Sequence, residues 1–179
     1  SVFKNTESVF CFRKKCLVLD LDNTLWGGVL GEDGIDGIEI GDVYPGSAYK
    51  DFQNLISVAA QNGVLLATCS KNNEHDVKEV WLKHPEMLLK EGDFVAHRIN
   101  WNDKASNIAE IAKELNIGVD SLVFIDDNPI ERELVKSMLP EVTVPDFPDQ
   151  PYLLGAFFKQ VYSENFQIYG LTKEDENKS

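Results

Sequence analysis

The chain has 179 residues, enough for one domain with a continuous core, and its 43% hydrophobic and 26% charged content is that of an ordinary globular protein. Its net charge of −13 argues against nucleic acid or an anionic membrane as the main partner, and no apolar run is long enough to cross a bilayer. The three cysteines, Cys11, Cys16 and Cys69, have no metal-ligand spacing, and with no signal-peptide pattern before the first apolar run a reducing cytoplasm is the expected location.

Cys16 to Leu19 reads as a buried parallel strand running straight into Asp20-Leu21-Asp22-Asn23-Thr24. The following segment, from Trp26 through Gly34 to Ile40, is Gly-rich with turn signals and predicts a short hairpin. A helix is expected after Pro45-Gly46, with Tyr49, Phe52, Leu55, Ile56 and Ala59 at helical spacing, ending at Asn62-Gly63. Val64 to Cys69 is the second strand and leads into Ser70-Lys71-Asn72-Asn73. A helix capped by Asn72 or Asn73 then runs until Pro85. Phe94 to Ile99 is the third strand, a helix opens at Lys104 and closes near Asn116 and Gly118, and Leu122 to Ile125 is the fourth strand. Pro129 starts a helix reaching Leu139. Val142 to Val144 forms a short edge strand, and 152–161 forms a last helix. This alternation predicts a single α/β domain over 1–179, with its core at about 15–146. The fold expected is a doubly wound, Rossmann-like parallel sheet of about five strands. The intervals after the first and second strands are too short for a cap domain. The start at Ser1 and the capping pattern at Thr172 to Asp175 fit a module excised from a longer polypeptide, or equally a native tail that frays.

Taken singly, the polar positions at the strand ends have plain readings: Ser70 as a helix cap, Lys104 as a solvated helix start, Asp126-Asp127 as a turn. Their order carries more. Strand C-termini share one edge of a parallel sheet, where open α/β folds bind ligands. Asp20 and Asp22, two apart, point to the same side of an extended backbone, and such crowded carboxylates call for a cation or a shared proton. That combination suits Mg²⁺ and phosphoryl transfer. Asp20 is the candidate nucleophile, forming an aspartyl phosphate, and Asp22 the acid that protonates the leaving oxygen and then activates water. Ser70 would hydrogen-bond a phosphoryl oxygen and Lys104 supply fixed positive charge, with Asn23 and Lys71 as further substrate-binding candidates. Thr24 would brace the loop.

In order, Asp20 to Thr24, Ser70, Lys104 and Asp126-Asp127 resemble the four motifs of the haloacid dehalogenase (HAD) superfamily of phosphotransferases. Longer strings (Leu21 to Gly34, Cys69 to Glu74, Ile99-Asn100-Trp101 and Phe124 to Pro129) resemble its FkbH-like branch, and the likeness spans about Lys15 to Asp146. The resemblance implies Mg²⁺ held by the Asp20 side chain, the Asp22 backbone carbonyl and Asp126, with Asp127 orienting a metal-bound water. It further implies an enzyme of polyketide or lipid extender-unit biosynthesis. Such an enzyme takes a glyceryl group from a small phosphorylated acyl donor, releases phosphate and loads an acyl carrier protein. An uncapped site, open to a macromolecule, agrees with such a partner. The acidic surface opposes it, since carrier proteins are usually acidic too, unless Arg13, Lys14, Lys15, Lys71 or Arg98 make a local basic patch. The family likeness also implies an acyl-carrying cysteine, for which Cys69 is the candidate. Pleating equally allows Cys69 to point into the core as a small hydrophobe. The competing functions are an uncapped phosphatase of a phosphoprotein or sugar phosphate, and a signalling receiver domain. The receiver is disfavoured because Lys104 precedes Asp126-Asp127 and the Asp-x-Asp pair comes first.

Overall fold

The computed structural model describes residues 14–167, so Cys11, Arg13 and the capping pattern at 172–175 lie outside the described residues. In chain order the elements are β1 (Cys16–Leu19), α1 (Leu30–Gly37), α2 (Gly46–Gln61), β2 (Leu65–Ser70) and α3 (Glu74–Lys83). They continue with β3 (Ala96–Ile99), α4 (Lys104–Leu115), β4 (Leu122–Ile125), α5 (Pro129–Met138) and α6 (Leu154–Asn165).

The four strands form one parallel sheet in the order β3-β2-β1-β4. β1 is central and wholly buried, which is why it is an unbroken apolar run rather than an alternating one. Alternate residues feed two cores. Leu17, Leu19, Leu66, Val123 and Ile125 face α2, α3 and α6, where the Phe52 and Phe158 rings meet edge to face at 5.9 Å. Cys16, Val18, Ala67, Cys69, Leu122 and Phe124 face α4 and α5 through Ile108, Ile111 and Val135. Helices on both faces make the fold doubly wound, as the βα alternation predicts.

Two expected elements take a reduced form. The edge strand at 142–144 is a single rung, in which Phe124 N–H donates to the Thr143 carbonyl at 2.9 Å and Thr143 N–H to that of Leu122 at 3.1 Å. Pro145 follows directly and has no N–H to extend the ladder. The Gly-rich segment closes on one antiparallel pair, Gly27 with Glu39, but its tip is the helical α1, bent at Gly34 where φ is +73°. Nothing larger is inserted after β1 or β2, and among the described residues there is no cap domain.

The polar strand ends gather at one edge because every strand runs the same way. Leu19, just before Asp20, lies level with Thr68 on β2 and Ile125 on β4. Asp20, Ser70 and Asp126 therefore emerge side by side.

Candidate active site

Lys104 is delivered to this edge by a well-built helix start. Asp103 caps α4, its side chain accepting from Ser106 N–H at 2.8 Å. The Asn100 side-chain carbonyl accepts from the Asn107 amide at 2.8 Å and Asn102 N–H at 3.0 Å, shaping the loop before it. The Lys104 ammonium is buried, donating to Asp20 Oδ1 at 3.1 Å and Asp126 Oδ2 at 2.6 Å. Asp126 is held in turn by Asn128 N–H on Oδ1 at 2.9 Å. The Arg132 guanidinium donates to the backbone carbonyls of Asp126 and Asp127 at 2.9 and 3.0 Å, fixing the loop that presents both carboxylates. Thr24 braces this loop against β1: its hydroxyl lies 3.2 Å from Asp20 Oδ2 and 3.3 Å from Asp127 Oδ1, and accepts from Asp127 N–H at 3.3 Å.

One ammonium does not balance the carboxylates packed around it. Single oxygens of Asp20, Asp126 and Asp127 lie within 4.8 Å of one another. Burial pushes the Asp20 carboxyl up to about 6 and Asp126 up to about 7, despite the opposing pull of Lys104. Asp127 is raised too, chiefly by burial, while the Lys104 ammonium is stabilised above its ordinary range by Asp20 and Asp126. A buried oxygen cluster with excess negative charge fits a hard divalent cation. Asp127 stands in this cluster itself. The Asp22 side chain does not.

The Asp22 carboxylate is fixed at both oxygens. Trp26 Nε1–H and Leu30 N–H donate to Oδ1 at 3.1 and 2.9 Å, and the Asn72 amide donates to Oδ2 at 3.0 Å. The same amide lies 3.2 Å from Ser70 Oγ, so a buried Asn72 ties the acid/base candidate to the phosphate-binding hydroxyl. Asn72 read in sequence as a helix cap. The cap position belongs to Asn73, whose side-chain carbonyl accepts from the exposed Trp101 indole at 3.1 Å.

Other candidates sit at the margin. Asn23 adopts a left-handed backbone with φ of +56° and clasps Gly28 through both its N–H and its side-chain oxygen, so it holds the loop while lining the site's edge. Lys71 lies on the rim, paired with Glu131 at 3.2 Å. Among the described residues the conditional basic patch does not assemble. Lys14 and Lys15 precede β1 at the opposite edge, and Arg98 is taken up by Glu110 and Glu114 at 3.0 and 2.8 Å.

Of the two placements that pleating leaves open to Cys69, the structure shows the one in the core. Pleating turns its thiol away from Ser70 into the α4 face of the sheet, with no solvent exposure and with the Lys104 carbonyl 3.9 Å from the sulfur. Burial pushes the thiol up to about 12, so the thiolate needed for acylation is suppressed.

With this geometry in place, the likeness to solved structures is informative. The N-terminal part of protein BF1531 from Bacteroides fragilis, which contains a phosphatase domain and was solved with Mg, superposes with a TM-score of 0.83 at 42% identity over 89% of this chain. The chain carries the HAD phosphatase fold. It spans 43% of that BF1531 chain. The HAD domain of effector protein Lem4 from Legionella pneumophila shares the fold at 16% identity, with a TM-score of 0.59 over 84% of this chain and 94% of that one. A HAD family enzyme from Bacteroides thetaiotaomicron, solved with magnesium and inorganic phosphate, shares it at 14% identity, with a TM-score of 0.53 over 75% of this chain and 94% of that one. No protein-family model matches the chain, and no curated protein matches it. Against the HAD fold, Asp20, Ser70, Lys104 and Asp126 occupy the ends of β1, β2, the start of α4 and the end of β4, the edge where the sheet opens. Among the described residues no helix is long and apolar enough to cross a membrane.

Proposed function

We propose that the chain is a Mg²⁺-dependent HAD phosphotransferase that cleaves phosphate monoesters or acyl phosphates through Asp20. The carrying observation is the buried Asp20–Lys104–Asp126 cluster, joined by Asp127, at the carboxyl edge of the sheet. An Asp20 carboxylate oxygen attacks phosphorus in line, the bond to the leaving oxygen breaks with its electron pair, and Asp22 supplies that oxygen with a proton. Asp22 then takes a proton from water as the water attacks phosphorus, which frees Asp20 and inorganic phosphate. Lys104 keeps positive charge beside the reacting carboxylate, and Ser70 donates to a phosphoryl oxygen. Asp20, Asp126 and Asp127, with the Asp22 carbonyl, would hold Mg²⁺, which would add positive charge beside the phosphoryl oxygens.

The finer reading we propose is FkbH-like: loading of a glyceryl unit from a phosphorylated acyl donor onto an acyl carrier protein. The long FkbH-like strings around each site residue and an edge left open to a macromolecule support it. The placement of Cys69 does not, and hydrolysis of a sugar phosphate or phosphoprotein without acyl transfer remains the alternative.

The test is phosphate release from an aryl phosphate, with mass spectrometry of the protein. Release should require Mg²⁺ and vanish in Asp20→Asn, and the native chain should carry a phosphoryl mass on the Asp20 peptide. Near-normal turnover by Asp20→Asn removes the nucleophile assignment. Incubation with a phosphoglyceryl donor and candidate carriers decides the finer reading, since phosphate release with no glyceryl mass on any carrier selects the hydrolase.

A further inference from the structure

A leaving group departs beside Asp22, since Asp22 gives its oxygen a proton. Two partners of that carboxylate, Trp26 and Leu30, are buried. The third, Asn72, is followed by Asn73, whose side-chain carbonyl accepts from the Trp101 indole at 3.1 Å. The loop that carries Trp101 is tied to the same place, with Asn100 N–H donating to the Ser70 carbonyl at 3.2 Å. Trp101 itself is 67% exposed. We propose that the Trp101 indole is a specificity-determining wall of the site, on which a leaving group that carries a flat ring stacks next to the phosphoryl group. This rests on the phosphotransferase reading above.

Exposure, orientation and chemistry of the ring carry the inference together. Of the three tryptophans in the chain, Trp26 and Trp81 are buried and Trp101 alone stands two-thirds in water. An indole left there forgoes the burial that stabilises the other two. Its orientation is nonetheless fixed. The indole N–H is spent on Asn73, and the Asn73 amide donates in turn to Asp76 Oδ2 at 3.3 Å. Asn73 stands before α3 without a side-chain capping bond, so its side chain is free for this task. Below the ring, Asn100 Oδ1 gathers Asn102 N–H at 3.0 Å and the Asn107 amide at 2.8 Å, which holds the loop in shape. A ring held in this way loses little conformational freedom when a ligand covers it. A purely structural tie between this loop and α3 would need the N–H and nothing of the ring faces. An apolar face whose polar edge is already satisfied suits a partner that is itself flat, either the C–H face of a sugar or the π face of an aromatic ring. An open-chain group such as glycerol has no such face to offer.

Glycerol 3-phosphate, glucose 6-phosphate and adenosine 5′-monophosphate are all esters of primary alcohols, so they differ in the ring and little in leaving-group reactivity. The native chain with Mg²⁺ should favour a ring-bearing ester over glycerol 3-phosphate by roughly tenfold in kcat/KM, the scale of one ring stacked on an aromatic side chain. Which of the two it favours tells a sugar face from an aromatic one. Trp101→Gln, which keeps an N–H donor but no ring, should bring that ratio close to one. Trp101→Phe, which keeps a ring but no donor, should retain part of it. Leu82→Gln makes an apolar-to-polar change at an exposed site on α3 and should leave the ratio as it is. Binding is read without turnover in the Asp20→Asn chain with Mg²⁺, where acrylamide quenching of fluorescence reports Trp101 almost alone because the other two indoles are buried. The ring-bearing ester should shield the indole and glycerol 3-phosphate should not. A native ratio near one, an equal loss for all three esters in Trp101→Gln, or equal shielding by all three overturns the assignment of Trp101. Shielding confined to a ring-bearing ester, in a native chain that turns over none of the three with Mg²⁺, supports the wall and refutes the phosphotransferase reading alone.

Discussion

Replacing Lys104 by Met removes an ammonium while keeping an unbranched, apolar side chain in its channel. In the native chain that ammonium sits 3.1 Å from Asp20 and 2.6 Å from Asp126, with all three groups buried. Removing one partner of a buried ion pair leaves uncompensated charge and costs about 3–5 kcal/mol. Lys104→Met should therefore lose stability of that order in urea denaturation with a chelator near neutral pH. The loss should shrink towards pH 5, because Asp126, pushed up to about 7, and Asp20, up to about 6, then hold protons and need the ammonium less. It should shrink also with Mg²⁺ at neutral pH, since the ion replaces the missing charge among the same oxygens. Phosphate release under saturating Mg²⁺ should fall by about 10²–10³, the scale of one lost preorganised charge contact at a phosphoryl oxygen. A metal-free loss below about 1 kcal/mol, with turnover within tenfold of native, would refute the view that Lys104 is the fixed cation of this site.

Two further outcomes follow from the same geometry. Asp22→Asn should slow alkyl phosphates by about 10²–10³ but an aryl phosphate by about tenfold or less, because a good leaving group needs little acid assistance. Asn72→Ala should show a smaller bias of the same kind, and an equal loss across leaving groups for both variants contradicts their roles. In chelator, the stability contributed by Asp126 should fall as pH rises from about 4 to about 7. The sign follows from its raised folded value: between the two values the folded chain keeps a proton that the unfolded chain has released. Asp126→Asn should flatten that fall, and a urea-midpoint difference between the two chains that stays constant across this range contradicts it.

The sheet and the convergence of Asp20, Ser70, Lys104 and Asp126 were legible because each depends on period and direction alone. An apolar run that ends in a polar residue marks a strand terminus, and parallel strands put all such termini on one edge. What sequence could not yield depends on where side chains turn after the strand ends, where no period applies. Asp127 was expected to orient a water, yet its carboxylate stands among the candidate ligands. Asn72 looked like one of two equivalent caps, and only the fold brings its amide between Asp22 and Ser70. Tyr49 shares helical spacing with Phe52 and Ile56 and reads as core, although its hydroxyl end lines a cleft. A signal was available for Cys69: it alternates with Ser70 in a strand, and if the hydroxyl faces the site the thiol does not.

With no cap among the described residues, the question is how an open site keeps its charges strong. Capped phosphotransferases exclude water by closing over the substrate, which lowers the local dielectric. Here the reacting groups are already withdrawn by the sheet edge itself: Asp20 is 5% exposed, Lys104 4% and Asp126 0%. Thr24, Asn128 and Arg132 hold the surrounding loops tight, so the desolvation lies in the floor of the site rather than in a lid. Such a floor acts on the phosphoryl group whatever is attached to it. Discrimination must then come from the walls, and of those the 147–154 segment carries acidic and aromatic groups next to the reacting edge. An open floor of this kind can act on a phosphoryl group presented by something much larger than the site itself.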